Sequence, residues 1–227
     1  MSLILSIETS TRACSVALHK EDQLLSSADL YQMQSHSVML TTMIENVLKM
    51  AGVEKEALDA IALAKGPGSF TGLRIGVSTA KALGFALQIP LIGIDSLKAM
   101  AYDLSQTNTG DFLFCPMIDA RRMEVYCALF DNKLNTIEET QAKIIDENSF
   151  GDYLKSHKTI FFGDGAAKCK NQLGKSENAF FVDDFQPKAR SIGQLAFERF
   201  KNQEFEDLAY FEPYYLKDFV NNTKVKL

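Results

Sequence analysis

Apolar runs with strand character and stretches of helical period follow one another in the same order twice along this chain. That repetition limits the fold more than any single motif does. In the first round, Leu3–Glu8, Cys14–His19 and Gln23–Leu30 are strand-like, with Glu21-Asp22 as a hairpin turn. A helical pattern over His36–Ala51 stops at Gly52. A strand lies within Asp59–Ala64, a helix over Thr71–Leu87 and a strand over Pro90–Ile94. Asp95 or Ser96 then caps a helix running to Leu104. The second round places strands at Phe112–Ile118, Glu124–Phe130 and Thr136–Ile145, a helix over Glu147–Ser156, a strand at Thr159–Phe162, a short helix over Ala166–Leu173, a strand at Ala179–Val182 and a helix over Ser191–Asn202.

Three hairpin-linked strands followed by strand–helix units give a mixed sheet with helices on its faces. The polar joint Ser105–Asp111 divides the two rounds, which sets an N-terminal lobe of residues 1–105 and a C-terminal lobe of residues 106–227. The aromatic stretch Phe211–Lys217 is expected to pack back toward the first lobe. A duplicated α/β order of this kind is that of the actin-like and sugar-kinase-like (ASKHA, RNase H-like) fold. The 227 residues, 46% hydrophobic and 23% charged, are enough to bury such a core.

The net charge of −5 disfavours strong autonomous nucleic-acid binding. Cys14, Cys115, Cys127 and Cys169 form no CxxC pair, so free buried thiols in a reducing compartment are expected. No leader and no apolar stretch of about 20 residues is apparent, and a cytoplasmic, non-membrane protein is expected.

The loop Lys65-Gly66-Pro67-Gly68-Ser69-Phe70-Thr71-Gly72 joins a strand to a helix, a place where backbone amides can cradle an anion. It is neither a Walker A loop nor a Rossmann fingerprint, and a tight structural turn is its first reading. In the helix that follows, Gly72, Gly76, Ala80 and Gly84 recur every four residues and form one stripe without bulk, opposite Arg74, Ser78 and Lys81. Glycine inside a helix costs about 1 kcal/mol relative to alanine. Close approach of a neighbour must offset that cost, whether the neighbour is this chain's own sheet or a partner helix. On the helix before it, Leu40, Ile44, Val47, Leu48 and Ala51 make a core face, and Met39, Met43 and Met50 make a second stripe roughly 80–100° away. Together the two helices suit a docking surface for another protein. Its candidate residues are His36, Met39, Leu40, Met43 and Met50 on the first helix, and Leu73, Gly76, Val77, Ala80, Lys81 and Gly84 on the second.

His36 opens a helix without a second histidine at ligand spacing, so capping or packing is its first reading. Glu8, Asp59, Asp95 and Asp119 stand at strand ends, where catalytic carboxylates and capping carboxylates both occur. Arg121, in the turn Asp119-Ala120-Arg121-Arg122, either pairs with Asp119 or offers a guanidinium to a partner or phosphate. Gly163-Asp164-Gly165 is a turn that can also approach a nucleotide. No cofactor and no metal is expected.

Leu5-Ser6-Ile7-Glu8-Thr9-Ser10, Ala13–Leu18, Lys65–Gly76 (KGPGSFTGLRIG), Ile118–Arg121, Glu124-Val125-Tyr126 and Glu212–Leu216 resemble the TsaB (YeaZ) family over nearly the whole chain. The resemblance implies a two-lobed actin-like fold and a non-catalytic role in placing threonylcarbamoyl on the adenosine beside the anticodon of tRNA. It implies as partners the catalytic paralogue TsaD, the ATPase TsaE and, through the assembly, tRNA. TsaC would supply the threonylcarbamoyl-adenylate, and the chain alone can form a homodimer. Where TsaD carries its metal-holding Asn-His-x-x-x-His, this chain has Ser96 and Met100, poor ligands for a divalent ion. Val38 and Thr42 stand where the family usually has Glu and Pro. An independent ATP-dependent phosphotransferase, built from Glu8, Asp119 and Gly163–Gly165, is the alternative. A peptidase lacks both paired metal ligands and a Ser-His-Asp arrangement.

Overall fold

The computed structural model describes residues 1–31, 36–108 and 110–217. Residues 218–227 of the expected second lobe, and Thr109 of its joint, lie outside the described residues. Two five-stranded sheets form the frame. In the first, β1 (Leu3–Glu8) pairs antiparallel with β2 (Cys14–Lys20), which pairs antiparallel with β3 (Gln23–Leu30). On its other side β1 runs parallel to β4 (Ala60–Gly66), and β4 parallel to β5 (Leu91–Asp95). The order is β3-β2-β1-β4-β5. The second sheet repeats this pairing with β6 (Phe112–Asp119), β7 (Glu124–Phe130), β8 (Thr136–Ile144), β9 (Lys158–Phe162) and β10 (Ala179–Val182), in the order β10-β9-β6-β7-β8. All strands of the first sheet precede residue 106 and all strands of the second follow it.

Both faces of the first sheet are covered, which is why its central strands are apolar without alternation. Leu5, Ile7, Ile61 and Leu63 meet α1 (His36–Ala51) and α2 (Phe70–Leu87). Their neighbours Ile4, Ala60, Ala62, Ile92 and Ile94 meet Ile192 and Ala196 of the C-terminal helix, here α6 (Ala189–Lys201). The helix α3 (Ser96–Ser105) follows the last strand of the first sheet yet sends Leu97, Met100, Ala101 and Leu104 against Phe114, Ile118, Ile160 and Phe162 of the second. Each sheet is thus closed by a helix from the other half. The remaining face of the second sheet is covered by the short helices α4 (Gly151–Leu154) and α5 (Lys170–Leu173).

Two expected helices are shorter than their sequence pattern. Residues 146–150 form a turn in which Asp146 accepts from Asn148 N and Ser149 Oγ, and Phe150 is left-handed at φ 59°, so only Gly151–Leu154 is helical. Over 166–173 a 3-10 turn at Ala167–Cys169 precedes the single turn of α5.

The turn after β1 seats α2. A Cβ placed on Gly72 would overlap the Thr9 carbonyl oxygen, and one on Gly76 would overlap Thr9 Oγ1. Farther along, Gly84 faces Leu208 and the Ile89 carbonyl. The small-residue stripe is therefore filled by this chain's own β1–β2 turn and C-terminal segment. That segment pairs Glu206 N with Leu91 O at 2.9 Å, places Leu208 on Gly84, and pairs Tyr214 N with Lys65 O at 2.7 Å. It runs along the edge of β5 and over α2.

Two titratable side chains are fully enclosed in this layer. Burial raises the Glu8 carboxyl from its ordinary 4.5 to about 7, against the opposing hydrogen bonds from Ser10. Burial lowers His19 from 6.5 to about 4, with Asp22 opposing. His19 lies under Gly193 of α6 beside Ser6, and neither of its ring nitrogens has a hydrogen-bond partner among the described residues.

Gly72→Ala is expected to destabilise the chain by about 1–3 kcal/mol despite its better helix propensity, because the Thr9 carbonyl belongs to a pinned backbone. Gly151→Ala, where nothing lies within 4 Å, is expected to be neutral or stabilising; urea denaturation of both variants checks the pair. Because the native state holds the Glu8 proton more tightly than the unfolded chain, the stability it contributes is complete below pH 4.5 and is lost as pH rises through 7. The loss amounts to about 3 kcal/mol. Glu8→Gln should remove that fall, so the stability difference between variant and wild type should move in the variant's favour between pH 5 and 8 in a denaturant series.

Candidate functional site

A cleft of about 670 Å³ opens between the lobes. One wall is the β1–β2 turn with the glycine-rich loop, and the other is the β6–β7 turn with Asp164. Tyr214 to Lys217 of the C-terminal segment cross one edge. The glycine-rich loop is pinned to the first turn. Ser69 N donates to Ser10 O at 2.6 Å, Gly68 lies directly against the Ser10 backbone, and Gly72 N donates to the capping Ser69 Oγ at 3.3 Å. The amides that would cradle an anion at Ser69 and Gly72 are thus occupied, and the loop is a structural turn. His36 reaches from the start of α1 to the Ala13 carbonyl, with Nε2 at 3.0 Å, and ties α1 to the same turn.

The opposite wall is held under strain. Arg121 and Arg122 are consecutive left-handed residues, at φ 71° and 48°, a conformation that costs a side-chain-bearing residue roughly 1–2 kcal/mol. A polar brace maintains it. Asp119 Oδ1 accepts from Arg121 N at 2.8 Å, and Asp164 Oδ1 accepts from Asp119 N at 2.9 Å. Lys168 Nζ donates to Asp119 Oδ1 at 2.5 Å and to the carbonyls of Arg122 and Glu124 at 2.7 Å each. Asp119 thus takes the Arg121 amide and the Lys168 ammonium, not the Arg121 guanidinium, which lines the cleft. Burial raises the pKa of Asp164.

The other carboxylates have local tasks. Asp59 accepts from Leu3 N at 2.7 Å, and Asp95 caps α3 by accepting from Lys98 N at 2.8 Å. The parts of a phosphotransferase are not brought together. Glu8 is sealed from the cleft, Asp119 is paired with Lys168, and Gly163 and Gly165 are spacers against the Met117 carbonyl and the Ile118 backbone. Ser96 and Met100 are both buried, Met100 against the second sheet. Among the described residues no group of three or more His, Cys, Asp or Glu side chains is placed to hold a metal ion.

The helical docking surface needs correction. Leu40, Met43, Leu73, Gly76, Val77, Ala80 and Gly84 are all buried in this chain's own core, with Leu40 and Ala80 at 1% and 0% exposure. The reason is the seating of α2 on Thr9, which turns the small-residue stripe and its flanks inward. His36, Met39 and Lys81 are half-buried, and Lys81 Nζ is spent on the carbonyls of Ala209 and Phe211 at 2.9 and 3.1 Å. Of the named residues only Met50, 63% exposed, stands fully in solvent on either helix. What does face solvent is a stripe of uncharged residues on α1, Val38, Thr42, Asn46 and Met50, and on α2 a line of Ser78, Ala82 and Phe85 that begins at Arg74. Phe85, at 80% exposure, was legible in sequence only as a break in the core pattern. Sequence reasoning also missed Arg12, a cleft residue whose signal was its place in a polar turn after a buried strand.

A family model described as TsaD, tRNA N6-adenosine threonylcarbamoyltransferase, matches residues 30–223. The chain is 31% identical over 223 residues to the tRNA threonylcarbamoyladenosine biosynthesis protein TsaB of Escherichia coli, covering 96% of this chain and 95% of that protein. It is 32% identical over 176 residues to TsaB of Bacillus subtilis, covering 75% of this chain and 74% of that protein. The solved structure of YeaZ from Pseudomonas aeruginosa superposes with a TM-score of 0.82 at 28% identity, over 95% of this chain and all of that one. With the duplicated sheets already described, these likenesses place the chain on the actin- and sugar-kinase-like fold and in the TsaB (YeaZ) family of tRNA threonylcarbamoyladenosine biosynthesis proteins.

Proposed function

We propose that this chain is a non-catalytic scaffold subunit for threonylcarbamoyl transfer to the adenosine beside the anticodon of tRNA, and that it docks a TsaD-like catalytic paralogue and a TsaE-like ATPase. The observation that carries the reading is at Ser96 and Met100. These positions, where the transferase carries metal-holding histidines, are a buried hydroxyl at Ser96 and, at Met100, a thioether inside the hydrophobic contact between α3 and the second sheet. Neither suits a catalytic divalent ion, and neither opens to a substrate.

The docking face is the outer side of α1 and α2. The two helices pack side by side, and each turns a largely uncharged stripe to solvent. Val38, Met50 and Phe85, exposed at 70%, 63% and 80%, are apolar residues that a partner helix would cover. A second copy of the chain can use the same face when the partner is absent. RNA is met chiefly through the assembly, in keeping with the net charge of −5.

Phe85→Glu places a charge on the proposed face without touching the core. It is expected to change folding stability by no more than about 0.5 kcal/mol and to weaken capture of a tagged TsaD-like paralogue by about tenfold or more. A pull-down with the folded variant checks the face, and wild-type capture would move the docking surface elsewhere. A reconstituted tRNA modification assay with each subunit omitted in turn checks the role. Modification at an undiminished rate without this chain would end the scaffold reading.

A further inference from the structure

The chain has six arginines. Three do not line the cleft and already have partners: Arg74 the Tyr215 hydroxyl and the Phe70 ring, Arg190 Asp103, and Arg199 Glu204 and Glu206. The other three, Arg12, Arg121 and Arg122, all line the inter-lobe cleft, and among the described residues none of their guanidinium groups is in a hydrogen bond or an ion pair. The cleft also holds three carboxylates, and each is already occupied. Asp119 is paired with Lys168, Glu124 with Lys217, and Asp164 with the Asp119 amide, Arg12 acting on Asp164 only at a distance. The N-terminus of the long helix α2 opens on the same space through Ser69, Phe70 and Thr71 and adds the positive end of its dipole. The chain is acidic overall, so this concentration of unspent positive charge is local. Two of the three arginines also occupy left-handed positions that asparagine or glycine would fill without strain, and a lysine and an aspartate are committed to holding them there.

We propose that the inter-lobe cleft binds the phosphate groups of a nucleotide, free or within an RNA chain, through Arg12, Arg121 and Arg122 and without a divalent cation. Guanidinium forks match phosphate oxygens in geometry as well as charge, which a bare ammonium does not. No metal is needed because the arginines supply the counter-charge that magnesium supplies elsewhere, while the cleft's carboxylates are spent on other partners. The site is separate from the helical face of the scaffold reading and stands or falls without it, because the chain alone is the reagent.

The test uses the full-length purified chain at low salt, with inorganic pyrophosphate, AMP and a labelled anticodon stem–loop RNA as probes, by calorimetry and fluorescence anisotropy. At least one probe is expected to bind, with affinity unchanged by EDTA. Arg12→Ser should weaken it about tenfold or more, as should the double substitution Arg121→Asn with Arg122→Gly. The double variant relieves the left-handed strain, so its Tm should equal or exceed that of the wild type, which separates lost binding from lost folding. Lys155→Ser, on the exposed surface far from the cleft lining, should leave binding unchanged. Binding of pyrophosphate and AMP identifies a free nucleotide as the ligand, and binding of the stem–loop alone identifies RNA. Failure of all three probes, wild-type affinity in both cleft variants, or a requirement for magnesium would overturn the proposal.

Discussion

The first lobe depends on how closely α2 is seated on the turn that follows β1. Gly68, Gly72 and Gly76 lie so near Ser10 and Thr9 that a methyl group at any of them would overlap the turn. The cost of Gly72 and Gly76 inside a long helix is offset by this approach. Several features follow from it. The loop Lys65–Ser69 is clamped to the first turn and becomes one wall of the cleft. The inward side of α2 becomes core, with Leu73, Val77 and Ala80 buried. The side opposite, with Ser78, Ala82 and Phe85, is left to solvent, and α1, tied to the same turn by His36, lies alongside.

The second constraint is the exchange of helices between halves. α3 is made with the first sheet and packs on the second, while α6 is made with the second and packs on the first. A hinge of the kind that lets two lobes swing apart would have to break both contacts, each of them hydrophobic and fully enclosed. The C-terminal segment adds a third tie, from Tyr214 on Lys65 in one lobe to Lys217 on Glu124 in the other. The cleft is thus walled by parts of both halves that are tied by two hydrophobic helix contacts and the C-terminal segment.

The frame was legible in the sequence because it rests on patterns of local period. The unbroken apolar runs of β1 and β4 announce strands covered on both faces, and Asp95 caps α3 as its place before the helix predicts. The four-residue spacing of Gly72, Gly76, Ala80 and Gly84 announces a close neighbour. Its direction was not legible, because a strand turn of the same chain and a helix of another protein demand the same small residues. The methionine stripe failed for a related reason. Met43 and Met50 stand seven residues apart at nearly the same angle on α1, yet Met43 is buried and Met50, in the last turn, is exposed, so residues of one type were divided between core and solvent by their place along the helix, which the spacing does not show. The short helices of the second lobe were over-read because Asp146 and Ser149 satisfy the backbone locally before a helix can start.

Charge separates the two surfaces that remain after the core is accounted for. The outer side of α1 and α2 is made chiefly of uncharged residues, with Arg74, engaged by Tyr215 and the Phe70 ring, in the first turns of α2 and Glu45 and Lys49 at neighbouring positions on α1. An uncharged stripe can be desolvated by another helix at little cost, whereas an unpaired arginine cannot. The cleft shows the reverse arrangement, with two carboxylates paired to lysines, the third bonded to a backbone amide, and guanidinium groups left over at two positions where the backbone itself is strained. A protein interface at the cleft would have to bury those arginines against acids of its own, whereas the exposed Val38, Met50 and Phe85 of the helical face offer apolar surface. The two surfaces therefore differ in the chemistry they can accept, and one chain can meet a protein on its flank while its centre is still free for a phosphate.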